Sequence, residues 1–175
     1  MRKLRNEELN RPSLEEYKAQ KKNEVILVLD NIRSLNNVGS AFRTSDAFNI
    51  EKIYLCGITG TPPHRDIQKT ALGATDSVVW EHGESSLLVI QKLKSQGWEI
   101  ISVEQAEGST PLNEFIPIAG KKYCFIFGNE VFGVEQDVVS ASDYCLEIPQ
   151  YGTKHSLNIS VSIGVVLWHY LVAKN

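Results

Sequence analysis

The chain ends in a helix that cannot be left in water. Ile159, Val161, Ile163, Val165, Val166, Leu167, Trp168 and Leu171 make the run from Ile159 to Val172 apolar nearly all round. A helix without a polar face is buried in a core or against a second subunit. The segment before it is polar: Gln150-Tyr151-Gly152-Thr153-Lys154-His155-Ser156-Leu157-Asn158 follows Ile148-Pro149. Polar side chains thus gather at a helix mouth, beside backbone N–H groups that lack intrahelical partners. A loop of this kind is suited to holding a ligand.

Upstream the pattern alternates. Strands are expected at 25–29, 52–56, 77–81, 99–103, 122–127 and 144–148, and helices at 38–48, 66–72, 85–96, 134–141 and 158–173. Val25-Ile26-Leu27-Val28-Leu29 and Tyr123-Cys124-Phe125-Ile126-Phe127 are continuous apolar runs, as expected of strands covered on both faces. Strand–helix alternation implies an α/β fold: a mainly parallel six-stranded sheet with helices on both faces. Ser13-Leu14-Glu15-Glu16 reads as a capping box opening a short helix that runs to about Lys22.

A chain of 175 residues forms one domain with a full-sized core. No run approaches ~18 uninterrupted apolar residues, so no membrane span is expected. Met1-Arg2-Lys3-Leu4-Arg5-Asn6 lacks the apolar core of a signal peptide. Cys56, Cys124 and Cys145 lack metal-ligand spacing and read as reduced thiols. The expected location is cytoplasmic. His64, His82, His155 and His169 show no metal spacing with the cysteines, and no metal is expected. The first 22 residues hold seven Lys or Arg against four Glu, a local +3 in a chain of net charge −3. Such an arm either contacts phosphates or is a solvated terminal helix.

The first strand is followed by Asp30-Asn31 and a single glycine, Gly39. The G-x-G-x-x-G of a Rossmann dinucleotide site is missing, and so is a Walker A sequence. The strands lead instead into Asn36-Asn37-Val38-Gly39-Ser40-Ala41-Phe42-Arg43 and Gly128-Asn129-Glu130-Val131-Phe132-Gly133. Asn37 and Asn36 read as N-cap candidates. Gly39 permits close backbone approach or close helix–sheet packing. Arg43 reads in isolation as a surface or salt-bridged arginine. Its guanidinium is essentially always protonated and a poor base.

Taken with Ser156-Leu157-Asn158, these segments resemble the motifs of the SpoU (TrmH-type) RNA 2′-O-ribose methyltransferases, of the SPOUT class. The resemblance runs from about Val25 to the C-terminus, and Lys69-Thr70-Ala71-Leu72-Gly73-Ala74 is similar to the family's central segment. It implies a C-terminal trefoil knot, an exception to the usual avoidance of threading. It divides the chain into a basic extension with a short helix, 1–23, and a SPOUT domain, 24–175. It implies methyl transfer from S-adenosylmethionine to a ribose 2′-hydroxyl of tRNA or rRNA, tRNA being favoured. Methyl transfer from a sulfonium needs no metal.

The resemblance also assigns residues. Arg43, Glu130 and Asn158 would be catalytic. Val103, Gly128, Ile148, Ser156 and Leu157 would bind the cofactor, with Ile148 and Leu157 holding adenine. Asn37, Arg43 and Ser156 would bind substrate, and His155 would stand near RNA. Arg43 would either work with an RNA-assisted proton removal or stabilise the developing alkoxide, and Glu130 would pair with it. Family members dimerise near the knot, so a homodimer through the 158–173 helix and the 38–48 helix is expected. Only about two dozen residues precede the first strand, so no separate N-terminal RNA-binding domain is expected. Two other functions remain open on this fold: a base-nitrogen methyltransferase, against which the Asn37…Arg43 pattern argues, and a non-catalytic RNA-binding protein.

Overall fold

A computed structural model of the chain describes residues 1–174. The sheet has seven strands, one more than the sequence suggests. They are β1 (Asn23–Asp30), β2 (Ile50–Cys56), β3 (Trp80–Gly83), β4 (Trp98–Val103), β5 (Thr110–Pro111), β6 (Lys122–Phe127) and β7 (Tyr144–Glu147). They lie in the order β3-β2-β1-β6-β4-β7-β5, and every ladder is parallel. The added strand, β5, is only two residues long and sits at the edge beside β7. Pro111 is tolerated there because an edge strand need not donate on its outer side.

The helices are α1 (Leu14–Ala19), α2 (Leu35–Ala47), α3 (Arg65–Ala71), α4 (Ala74–Ser77), α5 (Ser86–Ser95), α6 (Gln136–Ala141) and α7 (Ile159–Lys174). Alternation along the strands sorts them into two layers. Val25, Leu27, Leu29, Phe125 and Phe127 face one core with α2, α3 and α7. Ile26, Val28, Cys124 and Ile126 face the other with α5 and α6.

Several boundaries differ from the sequence reading. The strand expected at 77–81 begins at Trp80, because α4 takes residues 74–77. Ser77 Oγ there donates to Asp46 and to the Ala74 carbonyl, polar bonds a strand would not offer. The capping box forms: Ser13 N donates to Glu16 Oε2 (2.7 Å) and Glu16 N to Ser13 Oγ (3.2 Å). Its helix, however, stops at Ala19 rather than Lys22. Lys22 folds back, donating to Tyr17 O and Asn49 Oδ1 with its ammonium 3.3 Å from the centre of the Tyr17 ring. Tyr17 is thereby buried, tying the N-terminal segment to the domain.

α7 buries Ile159, Ile163, Val166, Leu167 and Tyr170. It leaves Val161, Val165, Trp168 and Val172 between 37% and 62% exposed. Their spacing of i, i+4, i+7 and i+11 draws one apolar stripe on the outside of the fold.

Candidate functional site

In an open parallel α/β sheet a crevice opens at the carboxyl ends of the strands where the strand order reverses. Here β1 leads outward to β2 and β3, while its other neighbour, β6, leads to β4 and β7. The loops after β1, β4, β6 and β7 therefore meet at one end of the sheet. They carry the residues singled out from the sequence. A cavity of about 530 Å³ opens there, lined by Val103, Gly128, Glu130, Ile148, Ser156, Leu157 and Asn158 among others. Volumes of this order suit a small-molecule cofactor.

The loop after β6 is a tight, fixed turn. Asn129 and Gly133 exchange backbone bonds at 2.9 Å in both directions. Asn129 Oδ1 accepts from Val131 N (2.9 Å) and Phe132 N (3.3 Å). A Cβ on Gly128 would lie 2.0 Å from Gly133 C and Val134 N, so only glycine fits. The turn holds Phe132 86% exposed at the cavity rim.

Glu130 joins this turn to the start of α2. Its Oε1 accepts from Ser34 N (3.0 Å) and Asn37 Nδ2 (3.1 Å), and its Oε2 from Arg33 N (3.1 Å). Asn37 Oδ1 in turn accepts from Asn158 Nδ2 at 3.2 Å. One chain of hydrogen bonds, Glu130–Asn37–Asn158, thus links three segments far apart in sequence. Partial burial pushes the Glu130 pKa up, but the donating N–H groups of Arg33, its own backbone and Ser34, with the Asn37 amide, outweigh it. The net result is a carboxyl held below its usual range, ionised beside the positive end of α2.

Three local expectations are corrected. Within one chain Glu130 does not pair with Arg43. Arg43 lies nine residues after the helix cap, about 13 Å along the axis, where it is exposed, outside the cavity wall and without a partner among the described residues. The N-cap of α2 is Ser34, which accepts from Asn37 N, so Asn36 and Asn37 stand in the first turn. Gly39 serves helix–helix rather than helix–sheet packing: a Cβ there would lie 2.1 Å from Thr70 Oγ1 and 2.2 Å from Ile67 O. At α7, Asn158 caps the first turn, its Oδ1 accepting from Ser160 N at 2.9 Å.

Supporting residues emerge, and of these Asp30 was not singled out by the sequence. Asp30, fully buried at the end of β1, accepts from Ser86 Oγ, Asn31 Nδ2 and Glu135 N. Glu104 accepts from Val134 N at 3.0 Å, and Gln105 Nε2 donates to His155 O at 2.6 Å. These bonds fix the cavity's loops to one another. An acid ending an apolar strand, as in Leu29-Asp30, was the available signal for the first. His64 caps α3, and His169 bonds to Phe115 O. Among the described residues no group of three or more His, Cys, Asp or Glu could hold a metal ion, and no helix is long and apolar enough to cross a membrane.

Fold and site together define a parallel α/β protein with a cofactor-sized crevice built from three motif loops at one end of its sheet. The chain belongs to the SpoU rRNA Methylase family, whose model matches residues 24–168. An uncharacterized tRNA/rRNA methyltransferase of Borreliella burgdorferi is 32% identical over 89% of this chain and 66% of its own length. A tRNA (guanosine(18)-2′-O)-methyltransferase of Aquifex aeolicus is 25% identical over 89% of this chain and 72% of its own. The chain spans about two thirds of the Borreliella protein and 63% of a Staphylococcus saprophyticus relative. Among solved structures, the A. aeolicus TrmH/SpoU tRNA modifying enzyme superposes with a TM-score of 0.79 at 25% identity, over 89% of this chain and 78% of that one. The AdoMet-bound rRNA methyltransferase of Sinorhizobium meliloti gives 0.78 at 23% identity, over 87% and 58%, a likeness of fold.

Proposed function

We propose that this chain transfers a methyl group from S-adenosylmethionine to a ribose 2′-hydroxyl of RNA, with tRNA the favoured substrate. The observation that carries the reading is the Glu130–Asn37–Asn158 chain at the wall of the cavity. It supports a site in which the three motif loops act as one unit. The activity of the Aquifex relative, on a guanosine 2′-oxygen, agrees in reaction class. The Sinorhizobium structure, with AdoMet bound, agrees in cofactor.

The cavity fits such a donor. Val103, Gly128, Ile148 and Leu157 all line it, and in this reading Ile148 and Leu157 hold the adenine while Val103 and Gly128 form the rest of the donor's wall. Bound there, S-adenosylmethionine would supply an electrophilic methyl on a cationic sulfur. Ser156 and Asn158 face the reacting centre in this reading. Asn37 and Glu130 position the ribose side. Arg43 supplies fixed positive charge that stabilises the developing alkoxide. A guanidinium removes protons poorly, so orientation and charge are its role, and the 2′-hydroxyl proton passes to the bound RNA or to solvent as the sulfonium leaves as a neutral thioether.

Arg43 of one protomer reaches the cavity of a second copy in this account. Support comes from its exposure outside its own cavity and from the apolar stripe that α7 leaves exposed. The homodimer uses α7 and α2, the C-terminal segment is knotted, and residues 1–23 extend a SPOUT domain spanning 24–175. The protein works in the cytoplasm. Titration calorimetry on cofactor-free protein tests the donor site: saturable heat is expected, and neither heat nor thermal shift at millimolar donor would remove the proposal.

A further inference from the structure

Beside the donor cavity lies a second one of about 400 Å³, within the polar loop that precedes α7. The two share Gln150, Ser156, Leu157 and Asn158, so a molecule in the second lies directly against that wall. The remaining walls include Tyr151, Thr153 and Lys154. Tyr151 is 98% exposed, and among the described residues neither its hydroxyl nor the Lys154 ammonium has a partner. A phenol ring left in water offers a π-face of the kind on which nucleobases stack, and an unpaired ammonium offers a counter-charge for phosphate. Asn158, by contrast, has a partner at each end of its amide group. Its amide donates to Asn37 and its oxygen accepts from Ser160, so it holds the shared wall in place.

We infer that this second cavity seats the methyl-accepting nucleotide, its base stacked on Tyr151 and a flanking phosphate on Lys154. The inference rests on the RNA methylation reading above and adds the place of the acceptor. Stacking on an aromatic face is tolerant of base identity, so the seat secures the nucleotide while contacts elsewhere on the RNA select it. Tyr151 lies outside the donor cavity's lining, and its loss should leave the donor site alone.

The test uses the full chain and total RNA from cells that lack it. Tyr151→Ala is expected to lower kcat/KM for RNA by about ten-fold or more, the scale of one lost stacking contact. Donor affinity by calorimetry should stay within about two-fold, which also shows the variant folded, and Tyr151→Phe should keep near-normal rates because the ring remains. Lys154→Ala should raise KM for RNA and reduce the slope of log K against log salt by about one. Crosslinking by ultraviolet light, mapped by mass spectrometry, reads the contact without methyl transfer, and a nucleotide adduct on Tyr151 is expected. Wild-type methyl transfer with a normal Tyr151→Ala would overturn the seat and leave the methylation reading standing. An adduct on Tyr151 without ribose methylation would do the reverse. Adducts confined to other loops overturn the seat in either case.

Discussion

Asn37→Asp places the strongest demand on the hydrogen-bond chain at the cavity. The new side chain has the same size and can still accept from Asn158 Nδ2, which now approaches Asn37 Oδ1 at 3.2 Å. The change falls at the other end. The amide that donates to Glu130 Oε1 at 3.1 Å becomes a second carboxylate. A hydrogen bond to a charged group contributes about 1.5–3 kcal/mol. Two like charges about 3 Å apart repel by roughly 1–5 kcal/mol between watery and protein-like dielectric. Solvent at this rim screens both terms, leaving a net loss of about 2–4 kcal/mol. For a chain of this length that is a fall in Tm of about 5–15 °C.

The pH dependence identifies the cause. Glu130 is held below the usual carboxylate range in the wild type, so its contribution to stability is present above its unfolded pKa and fades as pH falls. In Asn37→Asp the sign reverses. Mutual repulsion raises a pKa of the pair, so the penalty is full at high pH and relieved as a proton is taken up on acidification. Thermal unfolding of both proteins from about pH 8 to about pH 5 should show the gap in Tm narrowing with acid, and Asn37→Ala should show a constant gap. A gap that is absent, or that matches Asn37→Ala at every pH, would refute the linkage of Glu130 to Asn37.

Two further substitutions probe the remaining parts of the account. Arg43→Ala should lower kcat by about 10²–10³ while donor affinity holds within about three-fold, since a transition-state charge contact is lost and the guanidinium stands outside the cavity wall. Steady-state kinetics beside calorimetry check this, and near-normal turnover would take Arg43 out of the chemistry. Val165→Glu sets a charge in the α7 stripe, where Val165 is 37% exposed. An unpaired charge buried at an interface costs about 3 kcal/mol or more, so the dimer Kd by light scattering or sedimentation should rise at least a hundred-fold. An unchanged assembly, or a wild type that is monomeric at micromolar concentration, would contradict the interface.

The sequence exposes those parts of the fold that rest on local pattern. β1 and β6 are continuous apolar runs and stand where expected. β5 is two residues held by an edge ladder, too short to carry any period. α4 forms because Ser77 finds Asp46 across the fold, a contact that lies 31 residues away in sequence. The same division holds at the site. The glycines and Glu130 mark the loop after β6 as special, but its partners are backbone N–H groups at the start of α2. That meeting depends on β1 and β6 being neighbours in the sheet. Arg43 shows the limit most plainly. Its spacing from Asn37 is visible in the sequence, yet helix geometry carries it away from the Glu130 of its own chain and onto the exposed side of α2.

The most direct test of the account is the chemistry of the product. Methylation of a ribose 2′-oxygen removes the nucleophile that alkali needs to cleave the adjacent phosphodiester. RNA labelled by this protein from methyl-labelled donor and then hydrolysed with alkali should carry its label in alkali-resistant dinucleotides. Label recovered only in base-methylated mononucleotides would contradict ribose methylation and the role given to Arg43, Asn37 and Glu130.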